Sequence, residues 1–372
     1  MTMAQQGWQP LAGVKVIDFS VFLPGPLTSL LLADLGAEVL KVEAPGGDPA
    51  RAAMPALFQA ANRNKRSIQL DLKSPDSSAV VKGLSQWADV AIEGFRPGVA
   101  KRLGIDGEQL QAYNPRLVVC AISGYGQQGP WNLKPGHDIN YLAAAGALAY
   151  PGSWGQLPAR SSVPIADVAG SGLSSTAILA ALWERERTNK GRYLDLSLFE
   201  STLFCTAIRH GLQPETDSHA HLYPGNDLYI TADQQLLTLG LLEDHFWQAF
   251  CNAVAHLDAG LGHKKYATIA ARRQRGDELT ERLRHLLLRL TCQEWVQLLE
   301  GTDVPFEVCA SPAQAVDSSH VQARGRVVQH DNTRYVPFPV TVDGKYYPVS
   351  QAAAPALGEA NSEFLPPKAG QG

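Results

Sequence analysis

Between residues 14 and 123 a short, β-rich apolar run returns five times, at 14–19, 38–43, 67–72, 89–95 and 117–123. The intervals are long enough for one helix each and carry helix punctuation. Pro24-Gly25-Pro26 opens one and Gly36 closes it, while Ser74-Pro75-Asp76 caps another that bears Val80, Val81, Leu84 and Trp87. Strands apolar along nearly their whole length are buried on both faces, and connections of this length are parallel crossovers. The chain is therefore expected to build an α/β parallel sheet covered by helices on both sides.

The pattern continues with an expected helix at 139–149, a longer one at 168–187 ending in Glu184-Arg185-Glu186-Arg187, and a strand at 193–198. It then lapses. Residues 210–224 are polar, His-rich and broken by Pro214 and Pro224, which is where one domain ends. A chain of 372 residues has room for two domains. We expect a large parallel-sheet α/β domain over 1–200, a linker over 201–223 and a smaller domain over 224–326. The smaller domain begins with a hairpin (229–233 and 236–241) and continues as helices to about residue 300.

Composition excludes several function classes. A net charge of −4 without a long basic run gives no pull toward nucleic acid. The five cysteines (Cys120, Cys205, Cys251, Cys292, Cys309) show no CxxC pairing, which argues against a disulfide framework or a zinc site and suits a reducing cytoplasm. The polar start lacks a signal peptide, and no uninterrupted apolar stretch reaches bilayer length, so no membrane partner is expected.

Several segments could carry chemistry. Gly124-Tyr125-Gly126-Gln127-Gln128-Gly129 matches GxGxxG after a strand, but Pro130 follows where a dinucleotide fold needs a helix, so it reads as a glycine loop. Asn62-Arg63-Asn64-Lys65-Arg66 is either a solvated loop or a phosphate grip, with Lys41 and Arg96 able to add to the same field. His137, between Gly136 and Asp138, is a structural histidine or an acid–base group, since imidazole titrates near neutral pH. Asp167 is a helix N-cap or a reactive carboxylate, and the two are compatible. Glu243 either complements a helix dipole or orients His137.

With these segments assembled, the chain resembles the class III CoA-transferase (CaiB/BaiF) superfamily over nearly its full length. The likeness rests on Leu11-Ala12-Gly13-Val14-Lys15-Val16-Ile17-Asp18, Pro24-Gly25-Pro26, Leu32-Ala33-Asp34-Leu35-Gly36-Ala37-Glu38-Val39 and Lys41-Val42-Glu43. It continues through Asn62-Arg63-Asn64-Lys65-Arg66-Ser67, Glu93-Gly94-Phe95-Arg96-Pro97-Gly98-Val99 and Ala323-Arg324-Gly325. The resemblance implies a large Rossmann-like domain of parallel strands that does not bind a dinucleotide, a smaller α/β domain, and two chains interlocked as a homodimer with an acyl-CoA at their interface. It also implies a C-terminal segment, 327–372, that returns to the large domain.

Within this superfamily the transferases use the aspartate matching Asp167 as a nucleophile. The α-methylacyl-CoA racemases use it as a base and pair it with the histidine of a Gly-His-Asp-[Ile/Leu]-Asn-Tyr motif, which Gly136-His137-Asp138-Ile139-Asn140-Tyr141 reproduces. The acid in Gly240-Leu241-Leu242-Glu243 also resembles the racemases. The resemblance thus implies epimerisation of 2-methylacyl-CoA by His137 and Asp167 with Glu243 in support. CoA transfer through Asp167 is the alternative. CoA belongs to the substrate, and neither a metal nor another cofactor is expected. Backbone amides at the start of the Asp167 helix are expected to face the enolate oxygen. Two positions depart from the family: Ala44 stands where the racemases carry arginine, and Gln234 replaces the glycine of an Ala-Asp-Gly turn.

Overall fold

The computed structural model describes residues 8–211, 221–330, 333–346 and 353–366. They divide into two compact units. The first takes the chain to Ala145, then Ser161–Ile208, then the stretch from His320 onward; the second takes Gly146–Arg160 and Arg209–Ser319.

The first unit carries the expected parallel sheet. Its strands are β1 (Lys15–Asp18), β2 (Glu38–Glu43), β3 (Lys65–Gln69), β4 (Val90–Glu93), β5 (Val118–Ser123) and β6 (Tyr193–Ser197). Their spatial order is β3-β2-β1-β4-β5-β6, and every pairing is parallel. The order reverses between β1 and β4, and open sheets of this kind place ligands at the carboxyl ends of the strands near such a reversal. β4 and β5 are buried at every position, as their unbroken apolar runs require.

Helix Ile165–Thr188 lies against β5, β6 and helix Pro24–Asp34. Small buried residues, Gly170, Ser171, Ser174 and Ser175, allow the close approach. A Cβ at Gly170 would stand 2.4 Å from Leu198 Cδ2, so a larger residue there would have to displace the Leu198 side chain. The Ser171 hydroxyl donates to the Pro24 carbonyl (2.8 Å) and ties the two helix starts together. Arg185 and Arg187 complement the dipole in the last turn, and Asn189 ends the helix at φ 56°. By length and composition this helix could cross a bilayer; its buried residues are spent on packing.

The C-terminal stretch lies along β3. The amides of Ala360 and Gly358 donate to the Ser67 carbonyl (2.9 Å) and hydroxyl (3.1 Å). Asn361 accepts from the Gln69 amide (2.8 Å).

The second unit holds an antiparallel sheet of β7 (Asn226–Ile230), β8 (Leu236–Gly240) and β9 (Phe306–Val308). Leu237 and Leu239 of this sheet share a buried core with Trp247, Phe250, Leu283 and Trp295 from helices Asp244–Ala253, Gly276–Leu287 and Cys292–Leu299.

Two features differ from the expected domain plan. The span expected as linker begins as helix Leu198–His210, while Pro214 lies outside the described residues. Residues 146–160, expected in the large domain, join the second unit through Trp154. Its indole donates to Asp277 (2.7 Å), its amide donates to Asp227 (3.0 Å), and its ring lies where a Cβ at Gly276 would come within 1.8 Å.

Candidate active site

His137 and Asp167 each stand at the start of a helix, and those helix starts meet. His137 is the exposed residue just before helix Asp138–Ala144, with its amide donating to the Asn140 side chain (3.0 Å). Tyr141, one turn on, donates its hydroxyl to the Gly136 carbonyl (2.7 Å) and holds the loop that presents His137. Gly124 and Gly136 make room for that ring, since a Cβ on them would fall 2.6 Å and 2.7 Å from Tyr141 atoms. Tyr125 packs edge-on against Tyr141, with centroids 5.2 Å apart. Thus Gly136 acts here by letting Tyr141 approach.

Asp167 is the third residue of helix Ile165–Thr188 and is half-buried. It does not cap the helix, as its position in the sequence had suggested; Pro164 occupies the cap position. The cap is supplied from outside. Asp138 Oδ1 accepts from the amides of Ala166 (2.7 Å) and Asp167 (3.3 Å). Two donors that a helix start leaves unpaired are satisfied this way. These are also amides expected to face an enolate oxygen, and the structure has already spent them on Asp138.

The electrostatics follow from this packing. Burial, then the nearby Asp138 carboxylate, push the Asp167 carboxyl up to about 7. Burial, then the Asp167 charge, raise the Tyr141 phenol to about 12, while Arg96 acts in the opposite direction. Arg96, exposed in the loop after β4, is thus close enough for its charge to reach this corner. The corner brings together Arg96, Gly136, His137, Asp138, Tyr141 and Asp167.

The remaining basic residues do not form the expected grip. Lys41 is fully buried, paired with Asp48 (2.9 Å) and donating to the Ser20 carbonyl (2.8 Å). Lys65 is also fully buried, paired with Asp18 (3.3 Å) and donating to Asn62 (2.9 Å) and the Pro26 carbonyl (2.8 Å). Arg63 pairs with Asp34 inside the fold, and Arg66 forms surface pairs with Glu38 and Glu363. The inward turn follows from where the carboxylates lie: Lys41 meets Asp48 in the loop after β2, and Lys65 meets Asp18 at the end of β1. Glu243 belongs to the second unit, exposed at the cap position of helix Asp244–Ala253 and without a side-chain cap bond. The Gly124–Gly129 loop opens no helix, and its Gln127 amide is taken by the Asp195 carboxylate.

Sequence reasoning gives Asp138 and Tyr141 no role of their own. The available signal is their place in the motif, one and four residues after His137, which puts Asp138 in the first helical turn.

A doubly wound parallel sheet whose glycine loop opens no helix defines an α/β fold without the dinucleotide fingerprint. The model of CoA-transferase family III matches residues 11–361, and the chain belongs to that family. It is 32% identical to human alpha-methylacyl-CoA racemase over 95% of this chain and 92% of the relative. It is also 30% identical to the acetyl-CoA:oxalate CoA-transferase of Acetobacter aceti, over 97% of each chain. Among solved structures, a CaiB/BaiF family protein from Brucella suis superposes with a TM-score of 0.82 at 27% identity, covering 96% of this chain and 98% of that one.

Proposed function

We propose that this protein is a racemase of 2-methylacyl-CoA thioesters in which His137 and Asp167 are the two proton-transfer groups. A hydrogen α to a thioester is acidic because its carbanion delocalises onto the carbonyl as an enolate. Inversion requires one group to take that proton from one face and another to return a proton on the opposite face. His137 neutral with Asp167 protonated, or the reverse, supplies the starting states for the two substrate hands.

The observation that carries the reading is the corner itself. An exposed imidazole precedes the helix whose first side chain is hydrogen-bonded to the turn bearing Asp167. An Asp167 carboxyl near 7 populates both protonation states at neutral pH, as a reversible acid–base group needs. Arg96 is the exposed cation at this corner and the candidate for CoA phosphate. Glu243 remains in the proposal as the residue that orients His137. The proposal includes a homodimer in a reducing cytoplasm, consistent with five free thiols.

CoA transfer with Asp167 as nucleophile is the second reading, favoured by the transferase relative of nearly equal identity. One assay separates them. In heavy water the protein should wash deuterium into the α-position of a 2-methylacyl-CoA and scramble its configuration, without an added acid acceptor. His137→Ala should slow that exchange about 10²–10⁴-fold. Full exchange in that variant would exclude the His/Asp mechanism, and CoA transfer to an added acid would establish the second reading.

A further inference from the structure

His137 and Asp167 are separated along the chain by an excursion: the backbone leaves the first unit after Ala145 and re-enters it at Ser161. One side chain links the turns on either side of that excursion. Asp138 is 6% exposed, and its Oδ1 receives the amides of Ala166 and Asp167. Its other oxygen, Oδ2, is buried with no hydrogen-bond partner. An unpartnered buried carboxylate oxygen is costly. Such a group calls for an explanation.

We propose that Asp138 is a positioning residue: its carboxylate bolts the helix start that follows His137 to the one carrying Asp167, and its negative charge tunes Asp167 from behind. The inference rests on the reading of His137 and Asp167 as the reacting pair. The other groups facing this turn do not substitute for Asp138. Helix Asp138–Ala144 adds Tyr141, and the loop after β4 adds Arg96, whose charge is felt at Tyr141. Helix Pro24–Asp34 contributes the Pro24 carbonyl and the Thr28 hydroxyl. β5 and β6 pack along the Asp167 helix further on: Cys120 lies against Ser174, about two turns beyond Asp167, and Asp195 is held by the Gln127 amide. Asp138 is the charged group that raises Asp167.

Two variants separate the bolt from the charge. Asp138→Asn keeps an oxygen to accept the amides but removes the charge; Asp138→Ala removes both. The Asp167 carboxyl is titrated by ¹³C NMR in protein labelled at the aspartate carboxyls, and its resonance is assigned by its loss in Asp167→Asn. In Asp138→Asn the midpoint should fall by at least about one pH unit, with the pH profile of α-deuterium exchange moving by the same amount at little change in KM. In Asp138→Ala, exchange should fall at least about tenfold further, through kcat rather than KM. An unmoved Asp167 midpoint in Asp138→Asn overturns the inference, whether or not Asp138→Ala folds. A moved midpoint in a protein whose wild type exchanges no deuterium upholds the coupling and overturns the racemase reading instead.

Discussion

Two of the buried charge groups in the first unit are built on opposite plans. Around the ends of β1, β2 and β3, Lys41, Lys65, Asp18 and Asp48 form two ion pairs with both partners of each buried. At the start of helix Ile165–Thr188 two carboxyls, Asp138 and Asp167, face each other with no ion pair between either of them and a cation among the described residues. Burying charge is costly in both places. The first group offsets that cost by pairing, and the two lysine ammoniums hold Asp18 below the ordinary carboxylate range despite burial. The second leaves it uncompensated, which produces a carboxyl that titrates near neutrality. Each place holds one group pushed to about 7, Lys65 in the first and Asp167 in the second, but Lys65 is sealed inside the fold while Asp167 is partly open to solvent, as proton chemistry needs.

The largest effect is expected from breaking the uncompensated group. Asp167→Asn should remove α-proton exchange, by about 10²–10⁴-fold, and CoA transfer along with it. The same variant should be more stable than wild type at high pH. Because the folded carboxyl titrates near 7 and the ordinary value is 3.8, the folded protein holds that proton more tightly than the unfolded chain. Wild type therefore loses stability as pH climbs through that interval, and the loss is complete above 7. The melting temperature of Asp167→Asn should gain on wild type between pH 4 and pH 8. A constant difference across that range would mean that Asp167 is not raised.

Breaking the compensated group should act on stability. Burial and then neighbouring Lys41 push the Lys65 amine down to about 7, against the pull of Asp18. Lys65→Met removes one partner of a buried pair and should cost about 3–5 kcal/mol in denaturant unfolding. The folded fraction should keep the wild-type KM for an acyl-CoA. A raised KM with unchanged stability would return Lys65 to the phosphate grip.

The contrast between the two groups also explains what the sequence could convey. The parallel sheet was legible because each strand's apolar run carries its own evidence of burial on both faces. His137 and Asp167 were legible through their motif. The fate of Lys41, Arg63 and Lys65 was not, because a basic run looks the same whether it faces solvent or carboxylates. Which applies depends on tertiary assembly: Asp18 meets Lys65 across β1, β2 and β3, and Lys41 meets Asp48, only once the sheet has formed. Asp138 was hidden for a related reason, since its partners, the Ala166 and Asp167 amides, come from the far side of an excursion. The placement of residues 146–160 in the second unit depends on tertiary contacts: the Trp154 indole against Gly276, Arg284 donating to the Trp154 carbonyl, and His221 against the Pro151 carbonyl.

The smallest effect sharpens the comparison most, because it separates charge from contact within one corner. Tyr141 touches the same site as Asp138 but stays neutral far above physiological pH. Tyr141→Phe keeps the ring between Gly124 and Gly136 and deletes only the hydrogen bond to the Gly136 carbonyl. That should cost about 1 kcal/mol of stability and loosen the loop presenting His137, slowing exchange less than about tenfold. The Asp167 midpoint should stay where it is in wild type, because no charge has been removed beside it. If Tyr141→Phe moved that midpoint as far as Asp138→Asn does, the Asp138 charge would add nothing to what burial in the packed corner already does to Asp167.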